Sequence, residues 1–324
     1  MPEKIPGTEE IVFKDKFIER YKALTDFEIF KEYSLSFLRR SIRVNTLKCS
    51  VKDVLKRLEL HWKLDPIPWC KEGFWIDHKG EGDEYRRDVG NLLEHQLGYI
   101  YIQEAASMIP PIVLDPKPGE LVLDMCAAPG SKTTQLAQYM QNQGLLICND
   151  FKGDRIRSLG INSQRCGVSN EIITLMRGHR FKEFQFDKIL VDAPCSGTGT
   201  IRKSLKTLLM WNPNMIRRLA GQQRQLLETA FLNLKEEGTI VYSTCTLEPE
   251  EDEGVVSYLL EKYNNACLEK IPEKTLPGLK RSPAVLEFNQ KKFDPRVKDC
   301  LRIWPQDNDT EGFFVAKIKK LSVL

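Results

Sequence analysis

Between residues 11 and 37 the apolar positions recur at helical spacing, with Phe13, Phe17, Ile18, Tyr21 and Leu24 on one side, which predicts a helical lead-in. SIRVNTLK (41–48) then alternates like a strand. SVKDVLKRL (50–58) opens on a plausible Ser50 cap and continues as a helix, and GFWI (73–76) follows a Pro-broken turn as another short strand. Residues 41–80 thus read as a small α/β appendage. Past Pro110, Pro111, Pro116 and Pro118 the pattern changes. Short apolar runs, LVLD (121–124), LLICND (145–150), FDKILVD (186–192) and GTIVYSTCT (238–246), alternate with helical stretches at 133–140, 153–166 and 214–234. EPEEDE (248–253) places acids in the first turn of a further helix, where the dipole favours them, and GFFVAKI (312–318) reads as a last strand. The expectation is an α/β protein, with an extension over 1–110 and a catalytic unit over 111–324.

Composition narrows the class more than the function. With 41% hydrophobic and 29% charged residues in 324, the chain is an ordinary globular protein, and a net charge of +3 announces no nucleic-acid binder by itself. No run has the length and apolarity of a membrane span, and the start lacks a cationic segment followed by an apolar one, so the expected compartment is the cytoplasm. Nine cysteines, odd in number and never spaced as CxxC, fit neither a disulfide framework nor a zinc ribbon, and no metal is expected.

In a parallel sheet, ligands bind beyond the carboxyl ends of the strands, and here all four ends are unusual. The first continues as Cys126, Ala127, Ala128, Pro129, Gly130, Ser131 and Lys132, small residues that let a cofactor approach the backbone before a helix N-terminus. It is not a phosphate loop of the GxxxxGK[ST] kind, because Cys126 and Ser131 stand where glycines are needed, nor a GxGxxG fingerprint. The second supplies Asp150, twenty residues past Gly130, where a carboxylate would accept ribose hydroxyls; alone, it serves equally as a turn or helix-cap residue. The combination favours an adenosine cofactor without phosphates, of which S-adenosylmethionine is the common one. The third and fourth ends are DAPCSGTG, with Asp192 and Cys195, and STCT, with Cys245. Most lone cysteines are small buried hydrophobes; two at neighbouring mouths of one sheet, beside a carboxylate, point to reactive thiols.

These segments, with Arg155 after the Asn149–Asp150 pair, the QxxLLxxA helix (223–230), YSTCTLEPEEDE and the terminal GFFVAKI, resemble the Nop/Sun family of RNA cytosine-5 methyltransferases, in particular its archaeal-type tRNA members. The resemblance implies a Rossmann-like S-adenosylmethionine-dependent methyltransferase sheet, with a small RRM-like RNA-binding extension at the N-terminus. It makes Cys245 the nucleophile that adds to carbon 6 of cytosine, so that carbon 5 can attack a methyl group. Asp192 would hold the ring's nitrogen 3 and exocyclic amine, Cys195 would assist elimination and release, and Lys132 would tune a thiol or contact the base. Residues 126–132, Asp150, Arg155 and Asp192 would line the cofactor site. The chain departs from the family at Arg177, where an acid usually precedes Gly178; Arg177, His179, Arg180 and Lys182 read as an RNA-facing cluster or a solvated loop. Arg39, Arg40, Arg43 and Lys48, with Arg202, Lys203 and Lys206, are candidate phosphate contacts. The expected partner is tRNA first and ribosomal RNA second, the chain being a monomer; an RNA-binding scaffold without activity is the alternative from another class.

Overall fold

The computed structural model describes residues 2–8, 10–80 and 84–322. The lead-in is two helices, α1 (Asp15–Lys22) and α2 (Phe27–Ser34), parted where Asp26 leaves helical backbone and its carboxylate accepts from the amides of Glu28 and Ile29 at 3.1 and 3.2 Å. Their aromatic faces make no core of their own: Phe17, Tyr21 and Phe30 stack against one another and meet Trp211 and Trp304 from the later chain edge-on.

Next come β1 (Ser41–Val44), α3 (Val51–Leu58), β2 (Trp62–Pro66), β3 (Gly73–His78), α4 (Leu93–Gln96) and β4 (Ile100–Ile102), an antiparallel sheet ordered β2-β3-β1-β4. Ser50 caps α3 as its sequence suggests, accepting from the Asp53 amide at 3.2 Å. Strand alternation sends Ile42, Val44, Phe74 and Ile76 onto Val54 and Leu58 of α3. The same alternation sends Arg43 and Trp75 to the other face, which is also covered. Fully buried, Arg43 donates to the Ser131 carbonyl and the Thr134 hydroxyl, both at 2.8 Å, so it ties this sheet to the rest of the chain and is not a phosphate contact. The order of elements is that of an RNA-recognition motif, but the sheet face on which such motifs stack bases is here an internal interface.

Where the pattern changes, Pro110 and Pro111 open a helix, α5 (Ile109–Leu114), whose first turn needs no amide partners. The large sheet follows: β5 (Leu121–Asp124), α6 (Ser131–Tyr139), β6 (Leu145–Asp150), α7 (Gly153–Cys166), β7 (Glu171–Leu175), β8 (Phe186–Asp192), α8 (Lys206–Met210), α9 (Pro213–Leu232), β9 (Leu234–Thr244), α10 (Glu253–Lys262) and β10 (Ala266–Glu269). A small hairpin, β11 (Glu287–Phe288) with β12 (Lys291–Lys292), precedes β13 (Leu301–Ile303), α11 (Pro305–Asn308) and β14 (Phe313–Lys320). The strand order is β10-β14-β9-β8-β5-β6-β7, with β13 also on β14; β5 to β9 run parallel and β14 enters antiparallel against β9. Buried on both faces, the strands carry two cores: Val122, Leu190 and Val241 face α6, while Leu123, Ile189 and Tyr242 face α9 and α10. The order reverses between β5 and β8, which opens a crevice at their carboxyl ends. Among the described residues no helix is long and apolar enough to cross a membrane.

Candidate active site

Parallel pairing of β8 with β9 sets Asp192 level with Ser243, and the Ser243 hydroxyl donates to Asp192 Oδ1 at 2.8 Å. The chain leaves both strands immediately beyond this pair, and the two loops bring Cys195 Sγ and Cys245 Sγ to 3.3 Å. On the other side of Asp192, Lys132 reaches from the first turn of α6 and donates from Nζ to Oδ2 at 2.8 Å. Burial works against the Lys132 charge, yet Asp192, with lesser help from Cys245, holds its pKa above the ordinary lysine value. Contact with the Cys245 sulfur pushes the Cys195 thiol well up, and burial adds to this. All nine cysteines are free thiols.

Between the two loops lies a cavity of about 360 Å³. Its walls bring together Cys245, Asp192, Lys132, Cys126, Ala127, Ala128, Pro129, Ser131 and Arg155 of the sequence-derived set. Gly130 lies beneath the wall with φ at 105°, a conformation that favours glycine, and a Cβ there would press within 3.0 Å of Leu159. Cys195 does not line this cavity; its sulfur lies against that of Cys245. Asp150, at the end of β6, is buried; its Oδ1 accepts from the Lys152 amide at 3.0 Å, as the turn reading expects, whereas Oδ2 lies 3.3 Å from Arg155 Nη1 and has no hydrogen-bond partner. A buried carboxylate oxygen left open beside a small-residue loop fits a ribose hydroxyl. Arg155 also donates to the Ala128 carbonyl, tying the Asp150 turn to that loop.

Several residues of the site were not singled out by the sequence. Asp124, buried under the cavity, accepts from Thr133 Oγ1 at 2.7 Å, and burial pushes its carboxyl up to about 7. Glu104 and Glu311 meet at the cavity mouth, where the Glu311 amide donates to Glu104 Oε1 at 3.1 Å; burial, with Glu311 alongside, pushes Glu104 up to about 8. The Phe313 ring lies under Lys132 Nζ at 5.3 Å. EPEEDE is not a row of helix-first-turn acids: only Glu253 enters α10, and Glu248, Glu251 and Asp252 are fully buried in the loop before it. The nearest available signal was their position directly after the Cys245 segment.

Of the basic candidates, Arg202 is buried, holding Asp309 at 2.8 Å, and so is not a phosphate contact. Lys48 is exposed along its length but its ammonium caps the Leu97 and Arg165 carbonyls at 3.0 and 2.7 Å. Arg39, Arg40, Lys203 and Lys206 line a groove of about 790 Å³, together with Arg86, Arg87, Phe37 and Tyr85. Ile102, Glu104, Lys203 and Glu311 line both groove and cavity, so one leads into the other. Arg177, His179, Arg180 and Lys182 are exposed after β7, on the Asp150 side of the sheet and away from the cysteines.

Residues 111–319 match the family described as 16S rRNA methyltransferase RsmB/F, and residues 13–105 match the N-terminal domain of 16S rRNA methyltransferase RsmF. The chain is 47% identical to the tRNA (cytosine(49)-C(5))-methyltransferase of Pyrococcus abyssi, over 94% of this chain and 96% of that protein. It is 43% identical to the ribosomal RNA small subunit methyltransferase F of Shewanella oneidensis over 87% of this chain, but spans only 57% of that longer protein. Among solved structures, a methyltransferase homologue from Pyrococcus horikoshii superposes with a TM-score of 0.82 at 37% identity, over 97% of both chains. NSun6 from Pyrococcus horikoshii, solved with SFG, gives 0.82 at 25% identity, over 96% of this chain and 99% of that one. The sheet is therefore that of the S-adenosylmethionine-dependent methyltransferases, and the chain belongs to the RsmB/F (Nop/Sun) family of RNA cytosine-5 methyltransferases.

Proposed function

We propose that this protein methylates carbon 5 of a cytosine in tRNA through a covalent adduct with Cys245, working as a cytoplasmic monomer in which residues 1–110 help hold RNA and 111–324 carry the chemistry. The observation that carries the reading is the pair of sulfurs 3.3 Å apart at the ends of β8 and β9, beside an Asp192–Lys132 ion pair of 2.8 Å. Bound S-adenosylmethionine supplies the methyl group as an electrophile; Asp150 and Arg155 would hold it against the loop of residues 126–131, and Asp192 stands at the edge it shares with the base. The Cys245 sulfur adds to carbon 6 of the flipped cytosine, and the ring electrons move towards nitrogen 3. Asp192, fixed by Ser243 and Lys132, orients nitrogen 3 and the exocyclic amine, and Lys132 offsets negative charge as it develops. Carbon 5 is then nucleophilic. After it has gained the methyl group, carbon 5 gives its proton to a water molecule, the S–C6 bond breaks with its electron pair returning to the Cys245 sulfur, and the aromatic ring is restored. Cys195, whose thiol is raised well above its ordinary pKa and so holds a proton, is the group beside Cys245 that can donate that proton to the departing sulfur.

The tRNA assignment rests on likeness: the chain is 47% identical to the Pyrococcus abyssi tRNA enzyme over 94% of its length, against 43% over 87% for the Shewanella oneidensis ribosomal RNA enzyme. Ribosomal RNA is the second reading, favoured by the ribosomal RNA description attached to both matched family regions. The mechanism is tested on denaturing gels with RNA and S-adenosylmethionine. Cys245→Ala is expected to form neither adduct nor 5-methylcytidine, and Cys195→Ala to accumulate protein covalently on RNA. Full activity in Cys245→Ala would refute the nucleophile assignment.

A further inference from the structure

The peptide groups on either side of Cys195 are gripped by one pair of side chains. Gln223, fully buried in the middle of α9, donates from Nε2 to the Pro194 carbonyl at 2.9 Å and to Glu251 Oε2 at 2.8 Å. The same Glu251 oxygen accepts from the Ser196 amide at 3.0 Å. Glu251 is itself fixed, because the Tyr242 hydroxyl donates to its carbonyl at 2.6 Å. The grip therefore joins three elements: helix α9, the loop that carries Cys195, and the loop that carries Cys245. Hydroxyls complete the seam, with Ser196 and Thr198 at 2.7 and 2.9 Å from Thr246 Oγ1.

Neither Gln223 nor Glu251 lines the cavity, so neither touches substrate. An apolar residue at 223 would fill this interior without the cost of burying an amide against a carboxylate. What the polar pair adds is a fixed position for the backbone around one thiol. We propose that Gln223 and Glu251 form a positioning clamp for Cys195, setting its sulfur against Cys245 so that product release, rather than nucleophilic attack, depends on them. This rests on the role given to Cys195 above. The Glu251 carboxylate, after the Cys245 contact and burial, also helps keep the Cys195 thiol protonated.

The test uses the full chain carrying Gln223→Met, Glu251→Ala or Glu251→Gln, each checked for folding by circular dichroism, beside wild type and Cys195→Ala. Gln223→Met keeps the volume and removes both hydrogen bonds. Glu251→Gln keeps an acceptor oxygen where Oε2 stands, while its amide nitrogen takes the side of Oε1, which has no partner. Two readouts are made: alkylation of Cys195 by iodoacetamide without RNA, mapped by peptide mass spectrometry, and first-turnover against multiple-turnover formation of 5-methylcytidine with adduct on denaturing gels. For Gln223→Met and Glu251→Ala, Cys195 alkylation should rise about tenfold, as one unit of thiol pKa would give. Their multiple-turnover rate should fall about 10²-fold with adduct accumulating, the first turnover staying near wild type. Glu251→Gln should turn over as wild type with no adduct accumulating, its Cys195 alkylation rising only through the lost carboxylate charge. Unchanged alkylation and adduct in folded Gln223→Met would overturn the clamp. So would a first turnover that falls in step with the multiple-turnover rate, or a Glu251→Gln variant as defective as Glu251→Ala. If wild type makes no 5-methylcytidine the functional reading fails, and the alkylation rates still decide whether the clamp exists.

Discussion

Asp192 is the residue that joins the local hydrogen bonds, because each of its oxygens has a defined donor: Ser243 on Oδ1 and Lys132 on Oδ2. Its orientation is thus set by the fold, and substrate binding need not reorganise it. Asp192→Asn keeps the shape but removes the charge that faces Lys132. First-turnover methylation is expected to fall about 10²–10³-fold with the fold intact, as for loss of one preorganised polar group; a near wild-type rate by rapid quench would assign the base contact elsewhere. Cys195, Cys245, Asp192 and Lys132 were legible in the sequence because each follows a strand end or opens the first helix, where a parallel sheet exposes its side chains. Glu104 and Glu311 were not, because their neighbours in the chain carry no sign of what they meet in space, and Gln223 and Glu251 stood only within the QxxLLxxA and EPEEDE segments, with no sign that the two meet. Glu311, for example, faces Glu104 across 207 positions of sequence.

At the level of elements, the regular strands of the large sheet were readable from apolar runs: LVLD, LLICND and FDKILVD coincide with β5, β6 and β8. The irregular pieces were not. A proline pair opens α5 where the pattern showed only a change of character, and the acidic segment after Cys245 became a buried network that local periodicity cannot announce. Arg302 is its counterpart, fully buried, donating to Asp252 at 2.9 Å, to Glu253 at 2.7 Å and to the Leu247 carbonyl at 3.0 Å. This binds β13 to the start of α10 and so backs the Cys245 loop. Arg302→Met would strand two buried carboxylates, at an expected loss of about 3–5 kcal/mol. Urea denaturation measures this, and a loss below about 1 kcal/mol would mean that the network relaxes when the arginine is removed.

Across the whole molecule, docking of the small sheet onto the large one turns two modest surfaces into one groove that leads to the cavity. Arg40 and Lys206, exposed and from opposite sides of that junction, belong to it, whereas the equally basic Arg43 ties the small sheet to α6 and Arg202 ties the Ser36 and Phe37 carbonyls, just before β1, to the large unit. The sequence could not separate these roles, since burial is decided by the docking. Arg40→Ala with Lys206→Ala is expected to weaken RNA binding and to reduce its salt slope by about one for each phosphate that is no longer neutralised; an unchanged slope would place the RNA elsewhere. Stability should follow the buried carboxyls. Glu104 is held near 8, and Asp124 and Glu251 near 7, above unfolded values of 4.5, 3.8 and 4.5, so the folded chain keeps protons that the unfolded chain releases. Their contribution is full below about pH 4 and is lost as the pH rises through 7 and 8. His95, lowered by burial and Arg165, acts oppositely as pH rises through about 6.5, but it is one group against three. The urea midpoint should therefore drop between pH 5.5 and 8.5; a rise would show these carboxyls to be ionised in the fold. The most direct test of the account as a whole is to incubate the protein with labelled S-adenosylmethionine and separate pools of unmodified tRNA and ribosomal RNA, then identify the nucleosides by mass spectrometry. The account predicts labelled 5-methylcytidine in the tRNA pool. Label on any other nucleoside, or none in either pool while the cofactor binds, would contradict it.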